Sequence, residues 1–167
     1  MVLKAQVWTN ACYIIAGLLC YYMGAPVYIM YAFITLGILS WLGHYTTDRT
    51  GWLADHYGMY IAFSAIVSYT SGEPFLGIVA MACAFIINFA VNMYVAIGFL
   101  YALGFILFGV NHSIMYTLYI GIIFALGLLM QRLGDHSLKD KDYSLHTILH
   151  SSWHLFTAIG MSLMVLL

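Results

Sequence analysis

Apolar residues run along this chain in long, almost unbroken stretches, and the polar residues that separate them come in short clusters. "GAP" (24–26), "TTDRTG" (46–51), "SGEP" (71–74), "VNHS" (110–113) and "QRLGDHSLKDKDYS" (131–144) are the breaks. The runs are continuously apolar rather than alternating, which points to helices and argues against a β-barrel. A membrane-spanning helix needs about 20 mostly apolar residues. The stretch 75–110 has no strong breaker, yet at 1.5 Å per residue it would reach roughly 54 Å, too long for one span. The two amides of "NFAVN" (88–92) mark its division. Seven spans are therefore predicted, at 5–23, 26–46, 52–70, 74–90, 92–110, 114–132 and 145–166.

Composition agrees with this reading. Hydrophobic residues make up 64% of the chain and charged ones 7%, against roughly 25% charged in a soluble domain, and the mean hydropathy is +0.95. The expected fold is an all-α integral membrane protein, one seven-transmembrane helix bundle over 1–167, with no second domain and no internal repeat. A net charge of −1 gives no basic footprint for nucleic acid. The N-terminal run lacks a small-x-small cleavage site and is read as a retained first span. Cys12, Cys20 and Cys83 sit in apolar runs without CxxC spacing and read as packing residues.

The basic residues set the expected orientation. With seven spans, Lys4, Arg49, Arg132, Lys139 and Lys141 fall on one side, while Glu73 marks the other. The N-terminus is therefore expected in the cytoplasm. The expected location is the cell (inner) membrane of a prokaryote.

Against that background a few polar side chains stand out, because an ionisable group inside a span is costly and therefore a functional candidate. Span two ends in "SWLGH", which puts Ser40 and His44 one turn apart on one face. Span three opens "GWLADHYGMY", with Asp55 and His56 about one turn inside. Span seven carries His146, His150 and His154 at four-residue steps. The predicted topology brings the end of span two and the starts of spans three and seven to the same leaflet. Ser40, His44, Asp55, His150 and His154 are thus expected at similar depth on three helices, near the cytoplasmic face. Taken singly, a histidine inside a span is more often a helix–helix hydrogen-bonding group than a ligand, Ser40 reads as a packing residue, and Asp55 serves equally well as a first-turn carboxylate. Taken together, they suit a metal. Three neutral imidazoles with an open fourth position form a catalytic zinc site, where the metal acidifies water and polarises a carbonyl. A carboxylate nearby can manage the proton, and a serine can donate to a developing oxyanion.

This arrangement resembles the superfamily, sometimes called CREST, that contains the alkaline ceramidases, the progestin and adiponectin receptors, the haemolysin III-like proteins and the GPI-remodelling lipid hydrolases. The matching residues are Ser40 and His44 in "SWLGH", Asp55 in "LADHYGMY", and His150 and His154 in "HSSWH". Their order, spacing and span placement agree across essentially the whole chain. The eleven-residue step from His44 to Asp55 looks like the ceramidases and GPI-remodelling enzymes, while "DHYGMY" and "WHLF" look more like the haemolysin III-like proteins.

The resemblance implies one Zn2+ held by His44, His150, His154 and a water, with Asp55 as general base and Ser40 at the water or oxyanion. His56 and His146 match no motif position. His56 is expected in a supporting or packing role, and His146 either at the surface of the loop between spans six and seven or in the same supporting role around the metal ligands. The acidic calcium-binding stretch that precedes span one in the ceramidases has no counterpart here, so no calcium site is carried over.

The leading expectation is a zinc-dependent intramembrane hydrolase of an acyl amide or ester in a membrane lipid, ceramidase-like in type. Glycines and alanines of "AIGFLYALGFILFG" and "YIGIIFALGL" (spans five and six) are candidates to leave room for an acyl chain, besides close helix packing. The alternative is a non-enzymatic seven-span receptor or sensor with a structural zinc. A haem carrier fits poorly, because the inward histidines gather at one end. A transporter lacks the interrupted helices of repeat-related halves that usually mark one.

Overall fold

The computed structural model describes residues 8–46 and 49–167. Among them the chain forms seven α-helices and no strand: α1 (Ala11–Tyr22), α2 (Val27–Thr46), α3 (Arg49–Ser71), α4 (Pro74–Ala90), α5 (Met93–Asn111), α6 (Ile114–Lys139) and α7 (Tyr143–Leu166). Lys4, the expected start of the first span at residue 5, and the turn residues Thr47 and Asp48 lie outside the described residues.

The breaks read from the sequence are where the helices stop, and their chemistry shows why. Gly24 and Gly72 take positive φ (98° and 70°), the left-handed turn that glycine adopts without strain. Each is followed within two residues by a proline, Pro26 or Pro74, which cannot continue the preceding helix. At the division inside 75–110, Asn92 caps α5 by accepting from the Val95 amide at 3.0 Å. Ser113 caps α6 through the Tyr116 amide.

One expectation is corrected. The polar segment 131–144 is not a loop, because α6 runs on to Lys139 and only residues 140–142 connect it to α7. "QRLGDHSLK" is helix-compatible: Ser137 bonds back to the Gly134 carbonyl at 2.8 Å, and His136 and Lys139 in the last turn suit the negative end of the helix dipole. Asp142 then caps α7 through the Leu145 amide.

α1 packs on α2 and α2 on α3, and α7 closes back onto α1 while also packing on α6. α3 lies innermost, touching α2, α4, α5 and α7. It is buried along its length, from Gly51 through Tyr60, Phe63 and Ile66 to Thr70, whereas peripheral α4 buries only Gly77, Ala80 and Ala84. That position accounts for α3 being the least apolar of the seven, since a helix shielded by its neighbours need not present an oily face to lipid. Four helices, α2, α5, α6 and α7, are long and apolar enough to cross a bilayer. Large apolar side chains such as Phe75, Phe89, Val110, Ile114 and Met115 coat the outside. A coat of this extent marks a membrane-embedded protein.

α2 and α3 meet backbone to backbone at one end of the bundle. A Cβ on Gly43 would sit 2.7 Å from the Gly51 carbonyl oxygen and 2.9 Å from the Asp55 Cβ, so only glycine allows this approach. The contact lies beside His44, and it fixes how the end of α2 and the start of α3 present their polar residues.

Candidate metal centre

His44 arrives from the end of α2, and His150 and His154 from successive turns of α7. One nitrogen from each of the three lies within 4.8 Å of the others. The ring centroids are 4.7 to 5.1 Å apart, with the planes steeply inclined to one another. The Nε2 atoms of His44 and His150 are 3.3 Å apart. Tetrahedral zinc, with Zn–N bonds of about 2.0–2.1 Å, separates its nitrogen ligands by about 3.3–3.4 Å.

A hydrogen bond between two imidazoles accounts for that pair but not for the third. His154 is 2% exposed, and neither of its ring nitrogens has a hydrogen-bond partner. The Nδ1 of His150 is buried and unpartnered as well. Buried polar atoms in folded proteins are almost always satisfied, and leaving one unmade costs about 1–3 kcal/mol. A cation shared by the three histidines uses a lone pair on each, so the donor set fits a metal of the zinc type.

The surroundings are built from the same helices. The rings of Tyr13 in α1 and His154 meet in a T-shaped contact, their centroids 5.6 Å apart. Ser40, fully buried one turn before His44, donates to the Asn10 side-chain oxygen at 3.0 Å. Asp55 is half-buried over Gly43 and lines a cavity of about 470 Å3 together with His44 and His150. That volume lies in the range of small-molecule sites. The cavity opens between α3, α5, α6 and α7, with Met59, Ile97, Tyr101 and Trp153 among its walls.

His56 and His146 line this cavity and stand outside the ligand group. Each has its Nδ1 at a carbonyl, that of Trp52 at 2.7 Å and that of Gly134 at 2.8 Å. A carbonyl only accepts, so each Nδ1 carries a proton and donates it. For His146 this corrects the expectation of a loop-surface position. It is half-buried with its ring 5.4 Å from that of His150, because the helical extension of α6 supplies the Gly134 carbonyl beside it.

Of the glycines expected to leave room in α5 and α6, Gly98 alone lines the cavity, and a Cβ there would meet nothing within 4 Å. Gly104, Gly109, Gly121 and Gly127 lie against Ile66, Thr117, Phe105 and Trp153 and serve packing.

Sequence reasoning missed Asn10 and Tyr13. Asn10 carries a signal, an amide within an oily run, although it is not ionisable. Tyr13 carried none, because tyrosines are spread along the whole chain.

Comparison of the chain with models of protein families, with curated proteins and with solved structures finds no match.

Proposed function

We propose that this protein is a zinc-dependent intramembrane hydrolase of an acyl amide or ester bond in a membrane lipid, with all seven helices spanning the bilayer. The proposed N-terminus is cytoplasmic, in a prokaryotic cell membrane, with the site near the cytoplasmic face. The observation that carries this reading is His154, buried with both nitrogens unpartnered and clustered with His44 and His150. The resemblance of "SWLGH", Asp55 and "HSSWH" to the CREST superfamily supports it in motif and order.

His44, His150 and His154 would hold the ion. Zinc, when bound, supplies a Lewis acid that acidifies water and polarises the acyl carbonyl. Asp55, in the wall of the same cavity, takes the proton from the attacking water and returns it to the leaving amine or alcohol. The new bond joins the water oxygen to the acyl carbon, the bond from that carbon to nitrogen or oxygen breaks, and a fatty acid departs. Met59, Ile97 and Tyr101 receive the acyl chain, and Gly98 keeps that wall low.

The test is made on the purified full chain: metal content by mass spectrometry, and free fatty acid released from ceramides, acyl esters and phospholipids. About one zinc per chain, with release from at least one lipid, is the expected result. Zinc bound with no turnover on any lipid, and unfolding on its removal, would instead establish a structural zinc in a receptor or sensor. No bound metal would end the reading.

A further inference from the structure

The extension of α6 past its apolar run has a consequence outside the metal centre. Arg132, His136 and Lys139 follow one another at steps of four and three residues, which places them on one stripe of the helix. All three line a second cavity of about 590 Å3. Tyr94, Leu128, Gln131 and Asp135 line both this cavity and the one at the histidines. The two cavities therefore adjoin, one apolar and histidine-bearing and the other basic.

The chain has five lysines and arginines in all, and two of them stand in this groove. Neither Arg132 nor Lys139 has an ion-pair partner among the described residues. His136 is held to Asp140 at 3.0 Å, which ties up that acid away from the other two cations. Asp135 is the remaining acid in the groove and stands at the junction, so two cations face one carboxylate. A helical stripe also fixes the cations relative to the metal centre, which a loop over 131–144 would not.

We infer that this groove binds the phosphate of a lipid headgroup, and that the substrate class is a phosphate-bearing acyl lipid rather than a neutral one. The inference rests on the proposed acyl-lipid reading of the adjoining cavity. Arg132 offers a planar fork suited to phosphate oxygens and Lys139 a point charge. Asp135 is placed to accept from a headgroup hydroxyl. The acyl chains would then lie along Leu128 and Tyr94 into the space beside Gly98.

The experiment uses the purified full chain in neutral detergent and two lipids with identical brominated acyl chains, phosphatidic acid and diacylglycerol. Binding is read by quenching of tryptophan fluorescence, since Trp52 and Trp153 line the histidine-bearing cavity. Phosphatidic acid is expected to bind roughly thirtyfold more tightly, an effect of the size two juxtamembrane cations supply. The double variant R132Q/K139Q should abolish that preference, while K141Q, with its charge in the α6–α7 turn and outside the groove, should keep it. Equal affinity for the two lipids would overturn the inference, as would an equal loss in K141Q, which would mean general surface charge. Protection by inorganic phosphate alone, without any preference between the lipids, would assign the groove to free phosphate and overturn the headgroup assignment. The variant H154A separates this inference from the hydrolase reading. It should lose acyl release and retain the phosphatidic acid preference. A wild-type protein that shows the preference but releases no fatty acid would leave the groove standing and remove the hydrolase.

Discussion

At the end of the bundle where α3 gives way to α4 and α5 to α6, Asn111 donates to the Thr70 carbonyl at 2.7 Å and to the Leu107 carbonyl at 3.0 Å. Thr70 bonds back to Ile66, Ser68 reaches the Pro74 carbonyl, and Ser113 caps the next helix. His112 lies flat on Phe108 at 4.1 Å. At the other end, Ser40 and Asn10 pair, His56 and His146 donate to carbonyls, and the nitrogens of His154 are left over. Both ends are polar, and both place histidines beside aromatic rings. The difference lies in what remains after local bonding is complete. At the α5–α6 turn the polar side chains close helix ends, as a membrane protein requires of its backbone. At the α2–α3–α7 end, a buried donor set converges and is not consumed. Polarity in an oily chain is thus a weak sign of function, and buried polarity that converges and stays unspent is a strong one.

The two histidine environments are told apart most directly by removing one ring from each. His154→Ala should reduce zinc affinity by more than the hundredfold that outer-shell changes reach and bring acyl release to background. His112→Ala should leave both unchanged. Metal content after gel filtration and a fatty-acid assay read the two outcomes, and equal loss in both variants would erase the distinction. Asp55→Asn is the next test. It should retain zinc and lower turnover by about 10²–10⁴, the range for a positioned proton-transfer group. Loss of zinc in this variant would make Asp55 part of the metal's support instead.

The opposite end predicts a smaller effect of another kind. Asn111→Leu removes two hydrogen bonds to helix-end carbonyls and should cost about 1–2 kcal/mol, a drop of several degrees in thermal midpoint in detergent. Zinc content and turnover should not change. A variant that keeps its midpoint but loses turnover would show that this end reaches the chemistry.

Much of this arrangement was legible in the sequence because its causes are local. Gly24, Pro26, Gly72 and Pro74 stop helices by backbone restriction, and Asn92 caps the next one, so the helix order could be read off directly. The convergence of His44 with "HSSWH" was legible for a different reason. A helix fixes a four-residue step to one face, and helices that reverse direction at short turns bring the end of α2 and the start of α7 to one end of the bundle. The extension of α6 was not legible, because a polar run such as 131–139 can be loop or helix, and Gly134 settles it only through its packing against His146, Leu149 and His150 of α7. The inward turn of His146 depends on that extension. The Asn10 pairing depends on the α1–α2 contact, which no spacing rule specifies.

Ser40 gives the finest test, because two assignments of its hydroxyl make different demands. The resemblance puts it at the reacting water or oxyanion, whereas its geometry commits it to Asn10, whose Nδ2 is buried without a partner. If the pair is structural, Ser40→Ala and Asn10→Ala should destabilise the protein to similar extents. The double variant should then be no worse than either single one, with a coupling energy of about 0.5–1 kcal/mol, and turnover per zinc-loaded molecule should hold. If the amide instead turns over and donates through Nδ2, the hydroxyl proton is released toward the metal centre. Ser40→Ala would then lower kcat severalfold with KM unchanged, and Asn10→Ala would lower it less. Stability and kcat measured on the same three variants separate the two cases. Only the second would make the end of α2 a participant in the chemistry beyond its ligand His44.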